Sequence, residues 1–235
     1  MIETFIISWN EIETIKLTLK HYLKFGKVNL YDNFSDDGTP EVADNMGAFV
    51  QSFGKKDELS EKEYLKVKNN AWKKSSADFV IVCDVDEILI ADPKFLNSEK
   101  SKGVTIFNTT GFDIYSEKMP KNNWSEINTG FINHDFSKKV IFSPELQAIN
   151  YNYGCHTCQP QGKIKFSDST LPLFHYRNVG GVQRLINRHK EYRKRLSKFN
   201  KNLKLTGHYL INEDKKLKQW KESLEKSKEF SADII

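Results

Sequence analysis

The first ninety residues alternate short apolar runs with amphipathic stretches. Residues 4–8, TFIIS, are short and rich in β-formers, and they read as a buried strand. Over residues 11–25 apolar side chains recur at helical spacing (Ile12, Ile15, Leu19, Leu23), and Gly26 is the expected stop. Residues 28–31 form a second strand that runs into DNFSDDGTPE, a series of turn formers. A short helix over 40–45 and a third strand over 48–53 follow. Ser60 and Glu63 have the spacing of a capping box, opening a helix to about residue 75. Residues 79–83, FVIVC, are apolar throughout, the pattern of a central parallel strand covered on both faces. This strand–helix alternation predicts an α/β fold with a mostly parallel central sheet flanked by helices and right-handed crossovers. Ligands of such sheets bind at the carboxyl ends of the strands.

Beyond residue 91 the pattern changes. Strands are expected over 104–107, 139–142, 147–151, 163–166 and 171–175, separated by loops carrying Gly, Asn and Pro. From Gly180 onward the chain is basic and helical. One helix over 182–197 holds Arg184, Arg188, Arg193 and Arg195, and another over 214–228 mixes Lys and Glu as a solvated helix does. No internal repeat or low-complexity linker divides the 235 residues, so they read as a single domain in three parts: 1–90, 91–179 and a basic helical tail over 180–235.

Composition narrows the function classes. Sixteen Phe, nine Tyr and four Trp exclude a disordered chain. The formal net charge of +5 suits a phosphorylated ligand or an anionic membrane surface, and equally a lysine-rich exterior. No nucleic-acid-binding module or basic-aromatic face is present, so no nucleic-acid partner is expected. Three cysteines (Cys83, Cys155, Cys158) do not make a disulfide framework and point to a reducing compartment. The N-terminus lacks a basic n-region and a cleavage site, and no run of about 18 apolar residues occurs. Cytoplasmic action in a bacterium or a virus-infected host cell, with at most peripheral membrane contact, is the resulting expectation.

The sharpest chemical signal is FVIVCDVDEIL, where an apolar strand runs into Asp84, Val85, Asp86 and Glu87. In extended geometry residues i and i+2 point the same way, so Asp84 and Asp86 would converge while Val85 faces the core. Paired carboxylates at a strand end repel one another, and a hard divalent cation, Mg²⁺ or Mn²⁺, relieves the repulsion, with a substrate diphosphate completing its shell. The bland reading is an acidic turn.

In this order the motifs resemble those of the GT-A nucleotide-diphospho-sugar transferases, in particular the family-2-like group. The resemblance runs from residue 4 to about residue 195. It is carried by SWNEIETIKLTLKH at the end of the first strand, YDNFSDDGTPE at the end of the second, Asp84 and Asp86 with Glu87 at the end of the fourth, and LFHYR later. It implies a GT-A fold and transfer of a sugar from a nucleotide-diphosphate sugar to a glycan or lipid-linked acceptor in polysaccharide or glycan synthesis. It makes residues 1–90 the nucleotide-binding part and 91–179 the acceptor and metal part. It also implies His175 as third metal ligand beside Asp84 and Asp86, and a donor site of Ser8, Asn10, Glu11, Asp32, Lys68, Asp84, Val85 and His156. Within that set, Ser8 and Asp32 would contact the nucleoside and Lys68 a phosphate. Structural alternatives stand beside each: an Asx-type turn for Asp32, helix capping for Asn10 and Glu11, a solvated helix for Lys68.

The remaining candidates are less well marked. Cys155 and Cys158 flank His156, but no second ligand pair with zinc spacing lies nearby, so His156 reads as a polar group lining the diphosphate or acceptor pocket. Arg184, Arg188 and Arg195 are candidates to face the diphosphate, or an acceptor carrying phosphate or a lipid headgroup, beside the plain reading of a solvated basic helix. For an inverting transfer a carboxylate must take the acceptor proton, and Asp113 in TTGFDIY and Glu126 in NWSEINTG are the candidates. Trp124 is either a sugar-stacking ring or loop packing. Three other functions remain open on the sequence: a haloacid-dehalogenase-like phosphatase with Asp84 as nucleophile, a sugar nucleotidyltransferase, and a non-catalytic nucleotide-sugar-binding module.

Overall fold

The structure, a computed structural model, describes residues 1–230; the last five residues of the expected tail lie outside the described residues. The N-terminal half consists of β1 (Ile2–Ser8), α1 (Ile15–Tyr22), β2 (Gly26–Asp32), α2 (Thr39–Asn45), β3 (Phe49–Ser52), α3 (Glu61–Asn70) and β4 (Phe79–Asp84). After it come β5 (Glu87–Leu89), α4 (Pro93–Ser101), β6 (Ile106–Ser116), β7 (Thr129–Ile132), β8 (Ile141–Phe142) and β9 (Phe166–Val179). The chain continues through α5 (Gly181–Arg195), α6 (Lys198–Asn202), α7 (Glu213–Lys226) and β10 (Lys228–Glu229). The main sheet has the order β10-β7-β6-β8-β4-β1-β2-β3, with β9 pairing β5 and β6. Strands β3, β2, β1 and β4 are mutually parallel; β8 enters antiparallel beside β4 and the remainder is mixed. The α/β architecture expected from the sequence is therefore present, with its helical C-terminal segment.

Strand alternation sends the apolar residues into two cores. On β4, Phe79, Ile81 and Cys83 join Ile2 and Ile6 of β1 against α1 and α2. Val80 and Val82, with Phe5, pack on the other face against Trp72, whose ring meets Phe142 edge-on. Strands covered on both faces can be apolar at every position, as FVIVC is.

Several expected boundaries shift because tertiary partners decide them. Helix α1 begins at Ile15, four residues later than the periodicity suggests. The turn after β2 takes the preceding backbone donors instead. Asn10 N donates to Ser35 Oγ (2.8 Å), Glu11 N to Thr39 Oγ1 (2.8 Å) and Ile12 N to Asp37 Oδ2 (2.9 Å). Asn10 and Glu11 are thus not the caps of α1. Gly26 ends no helix; it opens β2 at φ +148°, where a Cβ would lie 2.3 Å from the Ile2 carbonyl oxygen. The expected capping box at Ser60 does not form: the Ser60 side chain makes no cap bond, and Glu61 N donates to Asn200 Oδ1 of α6 at 3.0 Å. The 147–151 segment is irregular, held by isolated bridges Ala148–Gln161 and Tyr151–Cys158, and of the 163–166 segment only Phe166 is in a strand.

The largest departure concerns β6 and β9, which run for 11 and 14 residues where short strands were expected. They pair in parallel from Ile106–Phe166 to Ser116–Val179, with irregularities between Ile106 and Asn108 and between Asp113 and Tyr115. The register places Asp113 opposite His175, and β5 places Glu87 opposite His175 on the other side. Gly111 permits this: a Cβ there would meet the Phe136 carbonyl carbon at 2.4 Å, so the turn at residues 134–136 can lie directly on β6. The stretch from Gly180, expected as a basic tail, belongs to the body. Helix α5 buries Leu185, Ile186 and His189, and β10 extends the sheet beside β7.

Candidate active site

A cleft of about 470 Å³ opens at the carboxyl ends of β1 and β4. Its floor is Ile7 and Ser8 at the end of β1 with Trp9 after them, Asp84 at the end of β4 with Val85 and Asp86 after it, and His175 and Arg177 of β9. Two helix faces wall it. Glu61, Tyr64, Leu65 and Lys68 of α3, and Leu185, Arg188, His189 and Tyr192 of α5, each repeat at i, i+3, i+4, i+7, the spacing that puts side chains on one face. Asp135, Phe136 and Lys138, the turn at Gly154–His156, and His208 and Tyr209 complete the rim.

Asp84 and Asp86 both line this cleft, and Val85 is buried as expected, its carbonyl accepting from Thr18 Oγ1 at 2.6 Å. The two carboxylates face different partners, however, because β4 ends at Asp84 and the chain turns there. Asp84 lies on the α3 face of the sheet and pairs with Lys68 at 2.7 Å and Lys138 at 3.8 Å. Lys68, expected as a solvated lysine or a phosphate ligand, is buried at the cleft wall. Glu87 lies beneath, its Oε2 accepting from Asp84 N at 2.9 Å and its Oε1 from Lys138 Nζ. Burial opposes charge on Glu87, Lys68 and Lys138. The mutual attraction outweighs it, holding Glu87 well below the usual carboxylate range and Lys68 and Lys138 above the usual lysine range.

Asp86 instead meets His175, with Oδ2 and Nε2 3.7 Å apart, and His175 Nδ1 lies 2.9 Å from Asp113 Oδ1. Asn133 Nδ2 donates to the other Asp113 oxygen at 2.7 Å, and Phe136 stacks on the imidazole at 4.2 Å. Burial would raise the Asp113 pKa, but the bonds from His175 and Asn133 lower it, so the carboxylate stays charged. A carboxylate on Nδ1 leaves Nε2 as a lone-pair donor aimed at the cleft, the arrangement that orients metal-ligating histidines. Among the described residues no group of three His, Cys, Asp or Glu converges on one point. Asp86 and His175 fit a divalent ion as two protein ligands, leaving the rest of its shell to substrate oxygens and water.

The other expected site residues separate. Ser8 lines the cleft and donates to Asp32 Oδ1 at 3.2 Å. Asp32 is buried and is the acceptor of an Asx-type turn, taking Ser35 N at 2.7 Å and Ser35 Oγ at 2.5 Å. Asn10 holds the same turn, its Nδ2 donating to Asp36 Oδ1 at 2.8 Å. Glu11 lines the cleft, and Arg188 binds it while also donating to the Asn10 carbonyl at 3.1 Å. His156 lines the rim, its Nδ1 bonded to the Asp135 carbonyl. Arg184 pairs with Glu13 at 2.6 Å, and Arg195 donates to Asn33 and stacks 3.7 Å above the Trp9 ring.

Neither expected base stands free in the cleft. Asp113 is buried behind His175, and Glu126 is exposed elsewhere, its oxygens accepting from Lys121 N and Asn122. Trp124 is packing: it is buried 4.5 Å from the Tyr176 ring and donates to Thr18 Oγ1 at 3.3 Å. The carboxylate that sequence reasoning missed is Asp135. It lines the cleft, is exposed, and among the described residues its side-chain oxygens have no hydrogen-bond or ion-pair partner. Lys138 was missed too, since nothing in SKKV distinguishes a buried lysine from a surface one. The α5 face was missed as well, although its 185-188-189-192 spacing is a signal that could have found it.

His189 gives the cleft a pH signature. Burial, then Arg177 and Lys216, push its pKa from about 6.5 down to about 2. The unfolded chain therefore binds the extra proton first as pH falls. The stability contribution is complete above pH 6.5 and is lost progressively below it, about 2 kcal/mol between pH 6.5 and 5. Denaturant midpoints at those two values should differ accordingly, and the difference should shrink in His189→Phe. Equal slopes in variant and wild type would exclude this residue as the cause.

No protein-family model matches the sequence, and no curated protein matches it. Among solved structures, the fold is similar to that of TarS from S. aureus (residues 1–349) at 11% identity. That likeness covers 81% of this chain and 64% of that one, with a TM-score of 0.48. Mannosyl-3-phosphoglycerate synthase from Rubrobacter xylanophilus matches 47% of this chain and 40% of its own at 16% identity and a TM-score of 0.35. Glucosyl-3-phosphoglycerate synthase from Mycobacterium tuberculosis, in complex with Mn²⁺, uridine diphosphate and glucosyl-3-phosphoglycerate, matches 48% and 44% at 21% identity and a TM-score of 0.31. The chain thus spans less than two thirds of the length of each of these structures. At such similarity, the residues of the cleft itself have to carry any assignment of function.

Proposed function

We propose that the chain is a glycosyltransferase that binds a nucleotide-diphosphate sugar in this cleft and transfers the sugar to a hydroxyl acceptor with inversion. The observation that carries the reading is the Asp86–His175–Asp113 relay at the carboxyl end of a parallel sheet, flanked by Lys68, Lys138 and Arg188. It combines a divalent-ion ligand pair, an orienting carboxylate and cationic walls where such sheets bind ligands. Asp86 and His175 would hold Mn²⁺ or Mg²⁺, which when bound supplies Lewis-acid stabilisation of the departing diphosphate. Lys68 and Arg188 hold the diphosphate side of the donor, and Ser8 and Trp9 meet the nucleoside side. Asp135 accepts the acceptor hydroxyl proton as that oxygen bonds the anomeric carbon and the sugar–diphosphate bond breaks. No helix among the described residues is long and apolar enough to cross a membrane.

The test is thermal stabilisation by a panel of nucleoside diphosphates and nucleotide sugars, with and without Mn²⁺. One nucleoside diphosphate should raise the melting temperature only with the cation. In the Asp135→Asn variant that shift should persist, while transfer to a glycan or lipid-linked acceptor falls by roughly 10²–10⁴-fold. No shift with any donor in either condition would refute the reading.

A further inference from the structure

The end of the cleft beneath α5 and α7 holds an unusual set of polar atoms. His189 is only 4% exposed, yet neither ring nitrogen has a hydrogen-bond partner. His208 Nε2, Arg177 Nε and Trp220 Nε1 are likewise buried and unpartnered. Among the described residues the Arg177 guanidinium makes no ion pair, and Lys216 Nζ, on a buried side chain, reaches only the His208 carbonyl at 3.5 Å. These groups belong to one place. The His189 and His208 rings are 5.9 Å apart, and Arg177 and Lys216 both depress the pKa of each. Arg177 follows His175 by two residues on β9, across an irregularity in the pairing with β6, and both side chains line the cleft. It lines the main cleft and also a small adjoining pocket with Lys216 and Trp220.

Buried donors without partners are costly, and native structures carry few of them. Two cations and several N–H groups facing one space repel any metal ion and suit an anion. The nearby carboxylate, Asp113, lines the small pocket, but its oxygens are already taken by His175 and Asn133. Arg177, His189 and His208 line the same cleft as Lys68 and His175, so a second substrate held there would share the cleft with the donor.

We propose that Arg177, His189, His208 and Lys216 form a binding site for a phosphate group carried by the acceptor. The role as an acceptor subsite rests on the glycosyltransferase reading; the anion site itself does not. A soluble phosphorylated molecule and a lipid headgroup present the same phosphate oxygens to these donors.

The test uses the full chain and three probes: inorganic phosphate, glycerol 3-phosphate, and vesicles containing phosphatidic acid. Binding is measured in the wild type, Arg177→Gln and Lys216→Met, each first checked for an unchanged melting curve without ligand. Binding of the nucleoside diphosphate with Mn²⁺ is measured in parallel. The wild type should bind at least one phosphate probe, and each variant should bind it roughly 10-fold more weakly. Preference for glycerol 3-phosphate or for the vesicles identifies the source. If all three proteins bind every probe equally, or the wild type binds none, the site is refuted. If the variants lose the probe while no nucleotide binds to any protein, the anion site stands and the glycosyltransferase reading falls.

Discussion

Asp86→Ala is expected to lose glycosyl transfer by about 10³-fold, and with it the Mn²⁺-dependent part of nucleotide stabilisation, while remaining folded. The side chain is partly exposed at the cleft, and its polar contact is His175 Nε2 at 3.7 Å, so its removal leaves no buried charge behind. The loss should appear in kcat rather than in the melting temperature of the free protein. Asp84→Ala separates the two carboxylates. It frees Lys68 from its 2.7 Å partner and should lower stability as well as turnover. Measuring kcat and the denaturant midpoint for both variants decides the matter. An Asp86→Ala enzyme with wild-type turnover would remove the metal-ligand role from this residue.

Lys138→Met is expected to be the most destabilising single change in the site, at about 3–5 kcal/mol. Lys138 and Glu87 are nearly completely buried, and Lys138 also reaches Asp84 at 3.8 Å. Removing the lysine leaves the Glu87 carboxylate beneath β4 with Lys68 as its remaining cationic neighbour. The double variant Lys138→Met with Glu87→Gln should recover part of the loss, because the uncompensated charge goes with the glutamate. Denaturant unfolding of the two single variants and the double variant measures the coupling. A Lys138→Met protein as stable as wild type would show that the buried cluster does not hold the end of β4.

The ion pairs in the site explain why it was only partly legible. Asp84, Asp86 and His175 stood out as chemistry at strand ends, and all three line the cleft. Their pairing was not legible, since it depends on which face of the sheet each residue meets. Strand alternation carries Asp84 to the α3 face, and the turn at Val85 carries Asp86 to β9. Asp113 was noticed as an acid but assigned to proton transfer. Its place behind His175 follows from the β6–β9 register, which joins residues 62 apart in the chain.

What the sequence determined by itself is local and periodic. The apolar runs at residues 4–8, 28–31 and 79–83, with helical spacing between them, already specify parallel strands buried on both faces and the end of the sheet where ligands bind. Hydrophobic burial at a period of two or 3.6 is encoded within a few residues, so it can be read from them. What only the tertiary structure decided is non-local. Asn200 rather than Ser60 supplies the side-chain acceptor at the start of α3, the turn at residues 35–39 rather than a helix takes the donors of residues 10–12, and β6 with β9 builds the Asp86–His175–Asp113 relay. Each of these satisfies a polar group from a distant part of the chain. Such a group accepts any partner of the right chemistry, and which one arrives is set by packing of the whole fold.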